Sequence, residues 1–252
     1  MKHWLPLVQA QRTQLAQIQV LLTDIDGTMT CEGRIPAEVV GWMPRLRGAG
    51  IEVIPCTGRS AGELLGLVRY LPGIVRGIAE NGGILVIPDQ PLEPLRAPID
   101  RDQLAAAAVV LGQSAGPWQL APCSFARVTD QAWERGGRSE PQLQQLRSAA
   151  ESLGLQLTWS SVHIHLTMAP PDKGAGALQV LAAEGVDPMH VAAIGDAAND
   201  EGLWVAGRFG LQVGTADVEK VWPLLRHRPS IHVGPAAQGW VELAQALLDS
   251  RA

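Results

Sequence analysis

The chain has 252 residues, enough for one large α/β domain or for a core with a smaller second domain. It is 46% hydrophobic and 18% charged, the balance of an ordinary globular protein and not of a disordered one. A net charge of -5 without runs of like charge removes the electrostatic reason to expect nucleic acid or an anionic membrane as partner.

Cys31, Cys56 and Cys123 are odd in number and lack metal-type spacing, which fits a reducing compartment better than a disulfide framework. Cys56 is expected to be a small buried residue. Met1 to Gln19 lacks a long apolar core followed by a small-residue cleavage site, and no stretch is long and apolar enough to span a bilayer. A cytoplasmic location is expected; the sequence sets no oligomeric state.

In chain order, the first informative stretch is Val20 to Thr30, an apolar run ending in Asp24 and Asp26 and then Gly27-Thr28. A strand carrying both carboxylates points them to the same side, because side chains alternate with a period of two. Two carboxylates held that close repel each other unless a cation or a proton lies between them. Pro36 starts a helical pattern through Val39, Val40, Met43 and Leu46, with Pro44 expected to kink or shorten it. Ile51 to Pro55 is a second strand, leading to Cys56-Thr57-Gly58-Arg59-Ser60. A helix bearing Leu64, Leu65, Val68 and Leu71 follows. Ile74 to Ala79 and Ile84 to Ile87 read as further strands around Glu80-Asn81-Gly82-Gly83. Strands alternating with helices predict a parallel sheet flanked by helices.

Pro88, Pro91, Pro94 and Pro98 break that rhythm and mark a domain boundary. Beyond it, Asp102 to Leu111 and Glu140 to Leu153 are predicted helices. Trp118 to Val128, Leu155 to Trp159 and Val162 to Leu166 are predicted strands, so this unit is an α+β insertion. Ala169-Pro170-Pro171-Asp172 closes it. Asp172 is placed to cap a helix from Lys173 to Ala183, and Val191 to Ile194 is a strand running into Gly195-Asp196-Ala197-Ala198-Asn199-Asp200. A short helix around Leu203 to Ala206, a strand from Phe209 to Val213, and helices at Val218 to Leu225 and Val241 to Leu248 complete the chain.

Asp24, Thr57 and Asp196 all fall at the ends of predicted parallel strands, where open α/β sheets bind ligands. Lys173 falls in the first turn of a helix, where N–H groups favour an anion. One lysine, one hydroxyl, free N–H groups and four carboxylates suit a phosphate bound through a divalent cation such as Mg²⁺. Taken singly, Thr57 reads as a turn hydroxyl, Lys173 as a solvated side chain, and Asp196 with Asp200 as a helix-start charge pair. Arg59 reads equally as a partner for a surface carboxylate or as a substrate contact. His163 and His165 alternate with Val162, Ile164 and Leu166 and read as one polar face of a strand.

Together, Asp24-Ile25-Asp26-Gly27-Thr28, Thr57-Gly58-Arg59, Lys173 and Gly195-Asp196 through Asn199-Asp200 resemble the four ordered signatures of the haloacid dehalogenase (HAD) phosphatases. The insertion resembles the type-2 cap of that superfamily, subgroup IIB. The Glu80-Asn81-Gly82-Gly83 stretch is similar to the subgroup that holds sugar phosphatases, sucrose-phosphate phosphatase and mannosyl-3-phosphoglycerate phosphatase. Insertion length, the Ala79-to-Gly83 stretch and Trp159-Ser160-Ser161 with His165-Leu166 look most like the archaeal-type phosphoglycolate phosphatases.

The resemblance implies a Rossmann-like α/β core, a parallel sheet flanked by helices, with an inserted α+β cap. It divides the chain into core residues 1–87, cap 88–164 and core 165–252. It also implies a Mg²⁺-dependent phosphatase acting on a small phosphate ester of phosphoglycolate or sugar-phosphate type. Asp24 is then the nucleophile and Asp26 the acid and base. Gly27, Thr57, Gly58, Arg59, Lys173 and Asn199 hold phosphate or substrate, and Asp24, Asp26, Asp196 and Asp200 hold the metal. The alternatives are a sugar phosphomutase-like phosphotransferase, the two named sugar-linked phosphatases, and a non-catalytic module on an old phosphatase core.

Overall fold

The computed structural model describes residues 4–159 and 162–251. Ser160 and Ser161, part of the motif noted at the end of the insertion, lie outside the described residues. The first half of the chain runs β1 (Leu5–Pro6), α1 (Arg12–Ala16), β2 (Val20–Thr23), α2 (Ala37–Gly48), β3 (Glu52–Pro55) and α3 (Ala61–Tyr70). It continues through β4 (Gly77–Ala79), β5 (Ile84–Val86), β6 (Glu93–Pro94), α4 (Arg101–Ala115), β7 (Gln131–Glu134) and α5 (Glu140–Ser152). The remainder comprises β8 (Gln156–Trp159), β9 (His163–Thr167), α6 (Lys173–Ala183), β10 (Val191–Gly195), β11 (Leu211–Gly214), β12 (Ile231–His232) and α7 (Ala236–Asp249).

Six strands form one parallel sheet in the order β1-β12-β11-β10-β2-β3. Its strands are apolar on both faces, and the period of two sorts them between two cores. Leu21, Val53, Ala192 and Ile194 face α2, α3 and α7. Val20, Leu22, Ile54, Val191 and Ala193 face α6 and the segment carrying Leu203 and Trp204. A sheet buried on both sides by helices is the arrangement expected for strands that read as continuous hydrophobic runs. Register aligns Thr23 with Ile194 on one side and with Pro55 on the other, so β2, β3 and β10 end together. Their carboxyl ends carry the site.

A third core lies in the insertion. Strands β7, β9 and β8 form an antiparallel sheet in that order, and α4 and α5 pack on it through Leu104, Leu111, Leu143, Leu146, Trp133, Trp159 and Ile164.

Several elements differ from the sequence reading. Helix α2 runs through Pro44 without shortening, because Val39, Met43 and Leu46 are fully buried and outweigh one lost backbone hydrogen bond. Strands β4 and β5 leave the parallel sheet: they pair antiparallel with each other, and an isolated Cys56–Ile78 bridge links them to it. Trp118 to Val128 is no strand; it contains a 3₁₀ turn at Pro122–Ala126, and the strand follows at Gln131–Glu134. Gln131 and Glu134 hide that strand from a hydrophobic scan. The helix sought at Leu203 to Ala206 is a 3₁₀ segment at Ala198–Trp204, and the one near Val218 is two 3₁₀ turns separated at Val221. The last helix starts at Ala236, just after Pro235, earlier than its apolar periodicity suggested. Among the described residues no helix is long and apolar enough to cross a membrane.

Candidate active site

The loops after β2, β3 and β10 meet the first turn of α6. Strand β2 stops at Thr23, so the two carboxylates do not share a strand as their spacing suggested. The Asp24 N–H still donates to the Ile194 carbonyl at 3.0 Å, carrying the ladder one residue further. A turn follows, with the Ile25 carbonyl accepting from the N–H groups of Thr28, Met29 and Thr30. Gly27 sits in it at φ 85°, and a Cβ there would lie 2.4 Å from Asp196 Oδ2. Its N–H is already donated to Thr30 Oγ1 at 2.9 Å, so what Gly27 contributes here is close approach.

Lys173 joins the first and last motifs. Its Nζ donates to Asp24 Oδ1 and Asp200 Oδ1, each at 2.6 Å, and its side chain is fully buried. Asp172 caps the helix by accepting from the Ala175 N–H at 2.9 Å, as its position predicted. Burial works to lower the Lys173 pKa, but Asp200 and Asp24 hold it above the ordinary range. The ammonium is therefore permanent. Asp200 Oδ2 accepts from the N–H groups of Asp196 and Ala197, so both of its oxygens are engaged. Asp196 Oδ1 accepts from Thr28 Oγ1 at 3.0 Å.

Asp24, Asp196 and Asp200 each present an oxygen within 4.8 Å of the others. Burial pushes the Asp24 carboxyl up to about 7 against the pull of Lys173. Burial, then Asp200 and Asp24, pushes Asp196 well above the usual carboxylate range. One lysine does not neutralise three crowded carboxylates. An all-oxygen donor set with that excess charge suits a hard divalent cation.

Arg59 resolves into a pairing that the sequence left open. Its Nε and a terminal nitrogen grip both oxygens of Asp26 at 2.7 and 2.6 Å, and the other terminal nitrogen reaches Glu63 at 2.9 Å. Glu63 also closes a capping box with Ser60 at the start of α3. Asp26 is thereby held by a planar fork. Thr57 is buried and accepts from the Arg59 N–H at 3.1 Å, which leaves its hydroxyl proton for an oxygen in the cleft. Asn199 Nδ2 donates to Asn81 Oδ1 at 3.1 Å.

Two groups were not recognised from sequence. His163 and His165 line the same cleft as Asp24, Asp26, Thr57, Gly58, Arg59 and Asn199. The alternating pattern of β9 placed them on one face, yet nothing local says what that face looks at. Glu80 is fully buried, and its carboxylate accepts from the N–H groups of Val128 and Thr129 and from Thr129 Oγ1. Glu80 and Asn81 take φ of 54° and 53°, an uncommon conformation for non-glycine residues, held by these contacts.

A buried Lys–Asp pair at the end of a parallel strand, a second carboxylate two residues on, and an acidic cluster beside it thus share one cleft. No protein-family model matches the chain. It is 30% identical over 204 residues to phosphoglycolate phosphatase of Methanopyrus kandleri, covering 78% of this chain and 84% of that one. Among solved structures it superposes with TM-score 0.75 on Thermoplasma acidophilum 0175, at 15% identity, covering 92% of this chain and 98% of the other. A sugar phosphatase of HAD subclass IIB superposes with TM-score 0.69 at 14% identity, covering 90% and 98%. The chain belongs to the family of this phosphoglycolate phosphatase, shares the fold of the capped HAD phosphatases, and is a phosphoric monoester hydrolase.

Proposed function

We propose that this enzyme is a Mg²⁺-dependent phosphatase of small soluble phosphate esters, of the phosphoglycolate or sugar-phosphate type, working through an aspartyl-phosphate. The observation that carries this reading is Lys173 buried between Asp24 and Asp200, with Asp196 alongside and Asp26 held over the same cleft. An Asp24 oxygen attacks phosphorus in line as the bond to the leaving oxygen breaks, and Asp26, once its carboxyl has left the Arg59 fork and taken up a proton, gives that proton to the leaving oxygen. Asp26 then takes a proton from the water that attacks the phosphoryl group, and Asp24 is released with inorganic phosphate. Lys173 and the Thr57 hydroxyl hold the phosphoryl oxygens as charge shifts between them.

Asp24, Asp196 and the Asp26 carbonyl would hold Mg²⁺, whose charge offsets that of the carboxylates and phosphoryl oxygens. Asp200, saturated by Lys173 and two N–H groups, orients this set. Residues 88–164 form the cap, hinged at the Pro88–Pro98 segment and at Pro170-Pro171, and the core comprises 1–87 and 165–252. The cap's separate apolar core supports that division.

Purified protein is expected to release phosphate from small monophosphates with Mg²⁺ and without any bisphosphate activator, and to lose that activity in excess EDTA. Undiminished turnover in EDTA would remove the metal from the scheme. Gly27→Ala, which drives a Cβ into Asp196 at an unfavourable φ, is expected to raise the Mg²⁺ concentration for half-maximal activity by roughly 10–100-fold. A Mg²⁺ titration of activity reads this directly, and an unshifted midpoint would show that Asp196 does not bind the ion.

A further inference from the structure

His165 lies in a buried network that the phosphatase scheme does not use. Arg127, Asp130 and His165 are each 1% exposed. Asp130 divides its oxygens: Oδ1 accepts from Arg127 at 2.6 Å, and Oδ2 meets His165 Nδ1 at 2.9 Å. The other terminal nitrogen of Arg127 donates to the Gly58 carbonyl at 2.8 Å, directly after Thr57. The orientation of the imidazole is thus tied to the contact between the insertion and the phosphate loop.

The protonation pattern follows from the partners. Burial works to raise the Asp130 pKa, but Arg127 and then His165 hold it below the usual range, so it is an anion and a hydrogen-bond acceptor only. Nδ1 therefore carries the ring proton. Burial lowers the His165 pKa against the pull of Asp130, with Arg127 also lowering it, so the ring is neutral. Nε2 is then an acceptor. Among the described residues it has no hydrogen-bond partner, while the ring lines the cleft containing Asp24 and Asp26.

We propose that His165 recognises substrate, its Nε2 accepting a hydrogen bond from a hydroxyl on the leaving group. The enzyme thereby selects hydroxyl-bearing phosphate esters over esters that place a carboxylate there. A carboxylate offers no proton to a lone pair and meets repulsion from it, whereas a polyol or sugar hydroxyl pairs with it. Asp130 and Arg127 are positioning residues, fixing the tautomer and the ring plane. The assignment rests on the phosphatase reading and chooses between the substrate types that reading contains.

The test compares kcat/KM of the full chain with Mg²⁺ on glycerol 1-phosphate, propyl phosphate and phosphoglycolate. Glycerol 1-phosphate is expected to lead both others by roughly 10-fold or more. His165→Phe, which has no acceptor, is expected to bring the glycerol-to-propyl ratio close to one, mainly through KM. His165→Gln, which keeps an acceptor oxygen, is expected to retain most of the preference. Wild-type enzyme that turns over propyl phosphate or phosphoglycolate as well as glycerol 1-phosphate overturns the assignment, and that comparison does not depend on any variant folding. Survival of the preference in folded His165→Phe overturns it too. Absence of phosphate release from every ester tried would instead bring down the phosphatase reading, and the assignment with it.

Discussion

Asp24→Asn is expected to reduce phosphate release by on the order of 10⁴–10⁶-fold while leaving the fold intact, as removal of an essential nucleophile does elsewhere. The physical case rests on position. Asp24 ends the central strand β2, its N–H continues the ladder to Ile194, and its Oδ1 is aligned by Lys173 at 2.6 Å. An amide at the same place keeps the shape and can still accept from Lys173, but its oxygen is a poor nucleophile. The substitution also removes one negative charge from a crowded acidic cluster, so thermal stability should not fall. Phosphate release in a continuous assay, with circular dichroism as the folding control, separates the two effects. Turnover within 10-fold of wild type would exclude Asp24 as the attacking group.

Lys173→Met is expected to abolish activity and to destabilise the protein by about 3–5 kcal/mol, the loss typical of removing one partner from a buried ion pair. Methionine fills a similar volume and keeps the helix propensity of α6, so packing and helix formation are not what changes. The change is electrostatic. Asp24 and Asp200 would face each other, with Asp196 beside them, without the ammonium that both now contact. Urea denaturation with and without Mg²⁺ measures this, and the cation should return part of the lost stability. Wild-type stability in Lys173→Met without divalent ions would mean that the lysine does not neutralise the cluster.

Much of this site is local information. Each motif pairs a short apolar run with the polar residue that ends it: Thr23 with Asp24, Pro55 with Thr57, Ile194 with Asp196. Strand ends and helix caps are set by neighbours in sequence, and Asp172 at the start of α6 shows it, since its side chain caps the turn its spacing suggested. The parallel sheet was legible for the same reason: strands buried on both faces are hydrophobic throughout. Strands β1 and β12 escaped notice because two-residue pairings carry no period. Strand β7 escaped because Gln131 is buried by tertiary contact, not by apolar character.

By itself, then, the amino-acid order determined the alternating α/β framework, the four motifs and the residue types that phosphoryl transfer needs. Only the tertiary structure decided the pairings among them. Arg59 could have met any carboxylate, and the fold gave it Asp26, 33 residues away. Lys173 reached Asp24 across 149 residues. His165 read as one side of a strand until the insertion turned that side toward the cleft and Asp130 fixed its ring. Backbone conformation is governed by interactions a few residues long and leaves traces in local patterns. Which charges meet is governed by how strands and helices close on one another, and one residue's neighbours in sequence do not encode it.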